Sequence, residues 1–126
     1  MSKKIIKTDQ VSLPIGPYNQ AVAVGNLVYT AGQIPLDKQG NMVPGGIKEQ
    51  TGQVLTNLKA LLEAAGSSLD KAVKATVFLK DLNDFAGMNE VYAKHFKAET
   101  APARSTVQVV RLPKDSLVEI EVVAYT

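Results

Sequence analysis

Cysteine is absent from this 126-residue chain, which removes disulfides, thiolate nucleophiles and cysteine-held metals together. Tryptophan is also missing, and only one histidine is present, His95. It lies in "NEVYAKHFK", a helical pattern with no second histidine or carboxylate at metal-ligand spacing, and it reads as a helix-surface residue rather than a ligand or a base. Neither sign of charge dominates: 14 basic and 12 acidic residues leave a net charge of +2 with no basic tract to follow a phosphate backbone, so nothing supports nucleic-acid binding. Long apolar runs are lacking too. None could span a bilayer, and the start, Met1 to Lys7, carries charge without an apolar signal region or a small-residue cleavage site, so a cytoplasmic protein with no membrane contact is expected. Chemistry is left to carboxylates, hydroxyls, arginine, lysine and backbone. We expect no metal and no cofactor, and a reaction that needs little help.

What is present suits one domain over residues 1–126: at 45% hydrophobic residues, a chain of this length buries roughly 65 to 70% of its unfolded surface. In "NQAVAVGNLVYTAGQ" two short apolar runs flank Gly25-Asn26, which predicts a hairpin over residues 18–34. From Ile47 to Ala65 the apolar positions 47, 54, 55, 58, 61, 62 and 65 form a helical stripe, and Gly66 supplies a left-handed end. "KAVKATVFLK" alternates, with Val73, Ala75, Val77 and Leu79 on one face of a strand. Asn83 or Asp84 is a candidate cap for a second helix with the stripe Phe85, Met88, Val91, Tyr92 and Phe96. "LDKQGNMVPGG" is a turn-rich loop, and no repeat or linker divides the chain. The order β-β-α-β-α-β-β predicts an α+β fold, a mixed sheet with two helices packed on one face.

The stretch "APARSTVQVVRLPKDSLVEIEVVAYT", residues 101–126, reads as two strands around a Pro-Lys-Asp turn. In the second strand Val118, Ile120, Val122 and Ala124 make a core face, while Leu117, Glu119, Glu121, Val123 and Tyr125 point the other way. Arg104, Thr106, Gln108 and Val110 show the same mixed character in the first. A half-apolar second face with helices covering only the first predicts a partner subunit over it, with a site at the subunit interface. Arg104 and Glu119 have two readings. They form an interfacial ion pair or reach solvent past the sheet edge; or Arg104 offers a fork to a ligand carboxylate while Glu119 accepts a proton from water. Strand parity does not choose between them.

The segments "IGPYNQAV", "GNLVYTAGQIP", "KEQTGQVLTNLKALLEAAG", "VKATVFLKDLNDF" and "PARSTVQVVRLPKDSLVEIEVVA" together resemble the Rid (YjgF) superfamily, and in particular its RidA-type enamine/imine deaminases. The resemblance runs from about Ile15 to the C-terminus and is most specific in the "PARS…RLPKD…EIE" stretch. It implies a chorismate-mutase-like fold, a homotrimer with clefts between subunits, and hydrolysis of 2-imino acids such as 2-iminopropanoate, 2-iminobutanoate and the enamine 2-aminoacrylate to 2-keto acids and ammonia. By the same resemblance Arg104 holds the substrate carboxylate, Glu119 activates water, and Tyr18, Gly32 and Asn89 shape the pocket. Ala31 stands where many relatives have serine, and Thr106 where many have cysteine beside the substrate. Without the resemblance, Tyr18 reads as an interface aromatic, Gly32 as a cramped backbone position, Asn89 as a helix-surface amide and Thr106 as a strand former. The family has also been described as translation inhibitors or ribonucleases, and as ligand-sensing or chaperone-like binding modules. The sequence lacks the histidine pair and basic aromatic stripe expected of a nuclease, and a pure binding module has no need of Glu119.

Overall fold

The computed structural model describes residues 2–126. Strands β1 (Lys3–Ile6), β2 (Ala21–Val24), β3 (Leu27–Thr30), β4 (Ala72–Leu79), β5 (Ala103–Gln108) and β6 (Val118–Tyr125) form one six-stranded sheet, interrupted in sequence by helices α1 (Ile47–Ala64) and α2 (Phe85–His95). The spatial order is β1-β2-β3-β6-β4-β5, antiparallel throughout except for the parallel pair β4–β5. This is the expected α+β class with a mixed sheet and two helices.

Local chemistry explains most elements. The β2–β3 turn places Gly25 at φ 58, a conformation open to glycine at little cost, and the hairpin pairs Val24 with Leu27 across it. In α1 the stripe Val54, Leu55, Leu58, Leu61 and Leu62 is fully buried, and each such side chain contributes about 1.5 to 3 kcal/mol by leaving water. The helix stops where Gly66 turns left-handed at φ 80. Three polar side chains inside this layer bind backbone instead of packing: Gln50 Oε1 accepts from Leu117 N at 2.8 Å, Asn57 Nδ2 donates to Leu36 O at 2.9 Å, and Thr30 Oγ1 accepts from Val122 N at 3.0 Å. The core face of β6, Val118, Ile120, Val122 and Ala124, is buried as its alternation predicts.

Four expectations are corrected. "KKII", read as a charged start, is edge strand β1, paired to β2 from Lys3↔Val24 to Ile6↔Ala21. Val73 does not share the buried face of Ala75, Val77 and Leu79, because a register shift between Ala72 and Lys74 turns it out to solvent. The start of α2 is not capped by the side chain of Asn83 or Asp84; Asp81 accepts from Asn83 N at 2.9 Å and closes a single 3-10 turn leading into the helix. Finally, β5 and β6 are not partners across the Pro-Lys-Asp turn: β4 lies between them. That turn, Pro113–Asp115, does form, with Lys114 and Asp115 both left-handed at φ 55 and 56.

This topology decides the faces. Arg104 is level with Ala75, and Ala75 with Val122, both buried on the helix side. Glu119 is level with Phe78, and Phe78 with Val107, on the open side. Arg104 and Glu119 therefore stand on opposite faces of the sheet, not on one shared face as their mixed neighbours suggested. Val110, assigned to the same face by parity, lies beyond the end of β5 and is 91% exposed. The open face does mix apolar and charged groups, with Ile5, Tyr29, Val107 and Tyr125 exposed beside Glu119 and Glu121.

Candidate functional site

The candidate residues gather into two separate clusters, each in its own cavity. On the helix side, α2 presents Phe85, Asn89 and Tyr92 at i, i+4 and i+7, one face of the helix, to the side chain of Arg104 on β5. Arg104 Nη1 donates to Asn89 Oδ1 at 2.8 Å. Its guanidinium carbon lies 4.6 Å from the Tyr92 ring centroid and 5.5 Å from that of Phe85, within cation–π range of both. No carboxylate lies within ion-pair distance of Arg104 among the described residues. Arg104, Asn89 and Tyr92 line a cleft of about 550 Å³ whose far wall is Lys97, Ala98, Ala101 and Pro102. None of its lining residues is acidic, so an anion entering it meets two cations, Arg104 and Lys97, and the amide of Asn89. Burial pushes the Tyr92 phenol up, while the Arg104 charge beside it pulls the other way.

On the open side, Gln33 and Ile120 exchange backbone hydrogen bonds, Gln33 N to Ile120 O at 2.9 Å and Ile120 N to Gln33 O at 3.2 Å. This lays Gly32 directly over Glu119: a Cβ added at Gly32 would fall on the Glu119 carboxylate. Glycine here leaves the carboxylate its position; a larger residue would push it aside. Glu119, Gly32, Tyr18, Ala31, Ile15, Ile34 and Pro113 line one cavity of about 380 Å³. Tyr18 comes from a loop tied down by the buried Gln20, whose Nε2 donates to Thr8 O at 3.1 Å and Ser12 O at 3.0 Å while its Oε1 accepts from Thr8 N at 2.8 Å. Burial in the cavity raises the Glu119 carboxyl above its ordinary value, and the nearby Glu121 charge adds to the rise. Arg104 does not offset it, because it is on the other face.

Of the residues singled out in the sequence, then, Arg104 and Asn89 are brought together, as are Glu119, Gly32 and Tyr18. Asn89 meets the arginine rather than open space. Thr106 shares the Arg104 face, level with Val77, but is not among the residues lining the Arg104 cleft. The clusters also include residues read only as core or loop: Phe85 and Tyr92 against Arg104, and Ile15, Ile34 and Pro113 around Glu119. The spacing 85, 89, 92 carried a signal for the first pair; hydropathy carried none for the second set. His95, the one imidazole, has Nδ1 3.1 Å from Val91 O on its own helix.

Known proteins resemble this chain along nearly its whole length. A family model described as Endoribonuclease L-PSP matches residues 9–126. The RutC family protein PH0854 of Pyrococcus horikoshii is 59% identical, over 98% of this chain and 98% of its own. TdcF of Escherichia coli, named as a proposed reactive intermediate deaminase, is 48% identical over 97% of this chain and 96% of its own. Its crystal structure with bound serine superimposes with a TM-score of 0.91, covering 98% of both chains at 47% identity. RidA from an Antarctic Psychrobacter gives a TM-score of 0.92 at 46% identity, covering 98% of this chain and 99% of the other. With the fold, the motifs and these likenesses in agreement, the chain belongs to the Rid (YjgF) superfamily.

Proposed function

We propose that the protein hydrolyses 2-imino acids and their enamine tautomers to 2-keto acids and ammonia, at sites completed between copies of the chain. The observation that carries this reading is the separation of Arg104 and Glu119 onto opposite sheet faces, each in its own cavity. One copy holds an anion anchor with no base beside it, and a half-buried carboxylate with no cation beside it. A neighbouring copy that brings its open face against the helix-side cleft joins the two, and three copies related by a rotation axis close such a contact into a trimer. The name of TdcF and the serine bound to it favour a small amino-acid-derived substrate. Among the described residues no helix is long and apolar enough to cross a membrane; that the enzyme acts in the cytoplasm is part of the proposal.

The chemistry asks little of the protein. A protonated imine next to a carboxylate is already electrophilic. Arg104 fixes the carboxylate in a plane through a two-pronged contact, and the neighbouring copy's Glu119 orients a water against C2. As the water oxygen bonds to C2, its proton passes to Glu119 and the C=N electron pair goes to nitrogen, giving a carbinolamine. The protonated Glu119 passes that proton to the carbinolamine nitrogen and, ionised again, takes the hydroxyl proton as the C–N bond breaks; the departing ammonia picks up this proton, and the products are a 2-keto acid and ammonium. A carboxyl raised by burial is a stronger base once ionised than an exposed one. Gly32 leaves the carboxylate room, and Tyr18 walls the same cavity.

The test supplies imine from a pyridoxal-phosphate-dependent dehydratase acting on serine or threonine and follows keto-acid release. Glu119→Gln retains shape, so binding of pyruvate should persist while hydrolysis falls by about 100-fold or more, the range for removing a general base. Unchanged hydrolysis in that variant rejects the reading. A structured RNA incubated with the same samples should remain intact; cleavage that tracks Glu119 would point to the nuclease instead.

A further inference from the structure

The least explained polar atom in the anchor half-site is the hydroxyl of Tyr92. The residue is 6% exposed, packed 4.5 Å ring to ring against Phe96, and its hydroxyl makes no hydrogen bond of full geometry, with Arg104 the one donor close enough to pull its pKa down. Leaving such a group buried and unpaired costs about 1 to 3 kcal/mol, which the same ring without the oxygen would avoid. A residue placed only to fill the core has no use for it. The donor beside it is the Arg104 guanidinium, whose carbon lies 4.6 Å from the ring centroid. A guanidinium has five N–H donors. Asn89, one turn earlier on α2, takes one of them; a carboxylate bound in the two-pronged manner takes two more.

We propose that Tyr92 is a positioning residue for the anion anchor, its ring carrying the guanidinium and its hydroxyl accepting one of the N–H donors that Asn89 and the bound anion leave over. Asn89 and Tyr92, three residues apart on one helix face, then hold the arginine from two sides and set the plane it offers. This rests on the reading of Arg104 as the carboxylate anchor, and the two ideas fail separately.

The experiment titrates pyruvate by calorimetry into wild type, Arg104→Ala, Tyr92→Phe and Tyr92→Leu, and records the melting temperature and the KM and kcat of imine hydrolysis for each. Tyr92→Phe keeps the ring and removes only the hydroxyl. A positioning role predicts that it weakens pyruvate about three- to tenfold, the equivalent of one hydrogen bond, and raises KM with kcat nearly unchanged, although the melting temperature stays level or rises. Tyr92→Leu, which also removes the stack, should weaken pyruvate further. If Tyr92→Phe binds pyruvate as wild type does while Arg104→Ala loses it, the hydroxyl is only packed and the inference is overturned. If Arg104→Ala binds as wild type does, the anchor reading falls first, and Tyr92 with it.

Discussion

Arg104 and Glu119 lie on consecutive strands of the chain but on opposite faces of the sheet with β4 between them, and each takes its character from what lies within a few ångströms. Arg104 is held by an amide and two rings, so replacing it by lysine removes both the stack and the fork; Arg104→Lys should recover little of what Arg104→Ala loses, about 2 to 5 kcal/mol of transition-state binding, measured as kcat/KM. Glu119 predicts a change of stability with pH. Burial and the Glu121 charge raise its carboxyl in the folded chain, so the fold holds that proton more tightly than the unfolded chain does. Stability from this group is full at acid pH and declines as the pH rises through the raised pKa. Glu119→Gln should therefore melt higher than wild type at neutral pH, with the gap closing as the pH falls through the carboxylate range; an unchanged gap from neutral to acid pH would contradict the burial argument. Gly32→Ala sets a methyl on the flexible end of Glu119, which can swing aside, so the fold should survive while hydrolysis falls. Circular dichroism and turnover on the one variant check both halves.

At the scale of elements, the long amphipathic helix and the alternating last strand were legible because their periods are uninterrupted and their apolar faces are buried. Gly66→Ala tests the helix end: with φ at 80 and open space around it, the added methyl meets no neighbour, and the loss should be purely conformational, about 1 kcal/mol by denaturant titration. The edge strand β1 was not legible, because Lys3-Lys4 at a sheet margin looks like a solvated start. The face of Arg104 was misread for a related reason. Alternation separates the residues of one strand into two sets but does not say which set looks at the helices; that depends on the neighbouring strand, and the parallel register Ala75↔Arg104 is a contact between distant parts of the chain. Half of the candidate site was thus visible as residue types and half only as pairing. Gln20 and Asn57, which tie the site loops down, were invisible to hydropathy because a buried amide looks the same in sequence as an exposed one.

For the whole molecule, the proposed completion of each site between two copies makes a strong prediction about mixtures. Arg104→Ala keeps its Glu119 half and Glu119→Gln keeps its Arg104 half. Unfolded together in equal amounts and refolded, two individually inactive variants should recover activity, roughly a quarter of the wild-type sites under random assembly into closed rings. Separate refolding followed by brief mixing should recover much less. No recovery in the refolded mixture, with light scattering showing assembly intact, would mean that each copy works alone.

The sheet order has a consequence for how the chain is made. The strand that joins the two parts of the sheet, β3 on one side and β4 on the other, is the last in sequence, Val118–Tyr125. Until it leaves the ribosome, the nascent chain holds a β1-β2-β3 meander and a β4-β5 pair, each with an open edge where β6 belongs, and the buried stripe of α1 has no Ile120 or Val122 to pack on. Folding must wait for β6 to emerge and then close through long-range contacts, a slow and aggregation-exposed step. Ribosomes stalled with Val118 still inside the exit tunnel should carry a protease-sensitive chain, and an appended C-terminal linker long enough to bring β6 out of the tunnel should make it resistant in a single step.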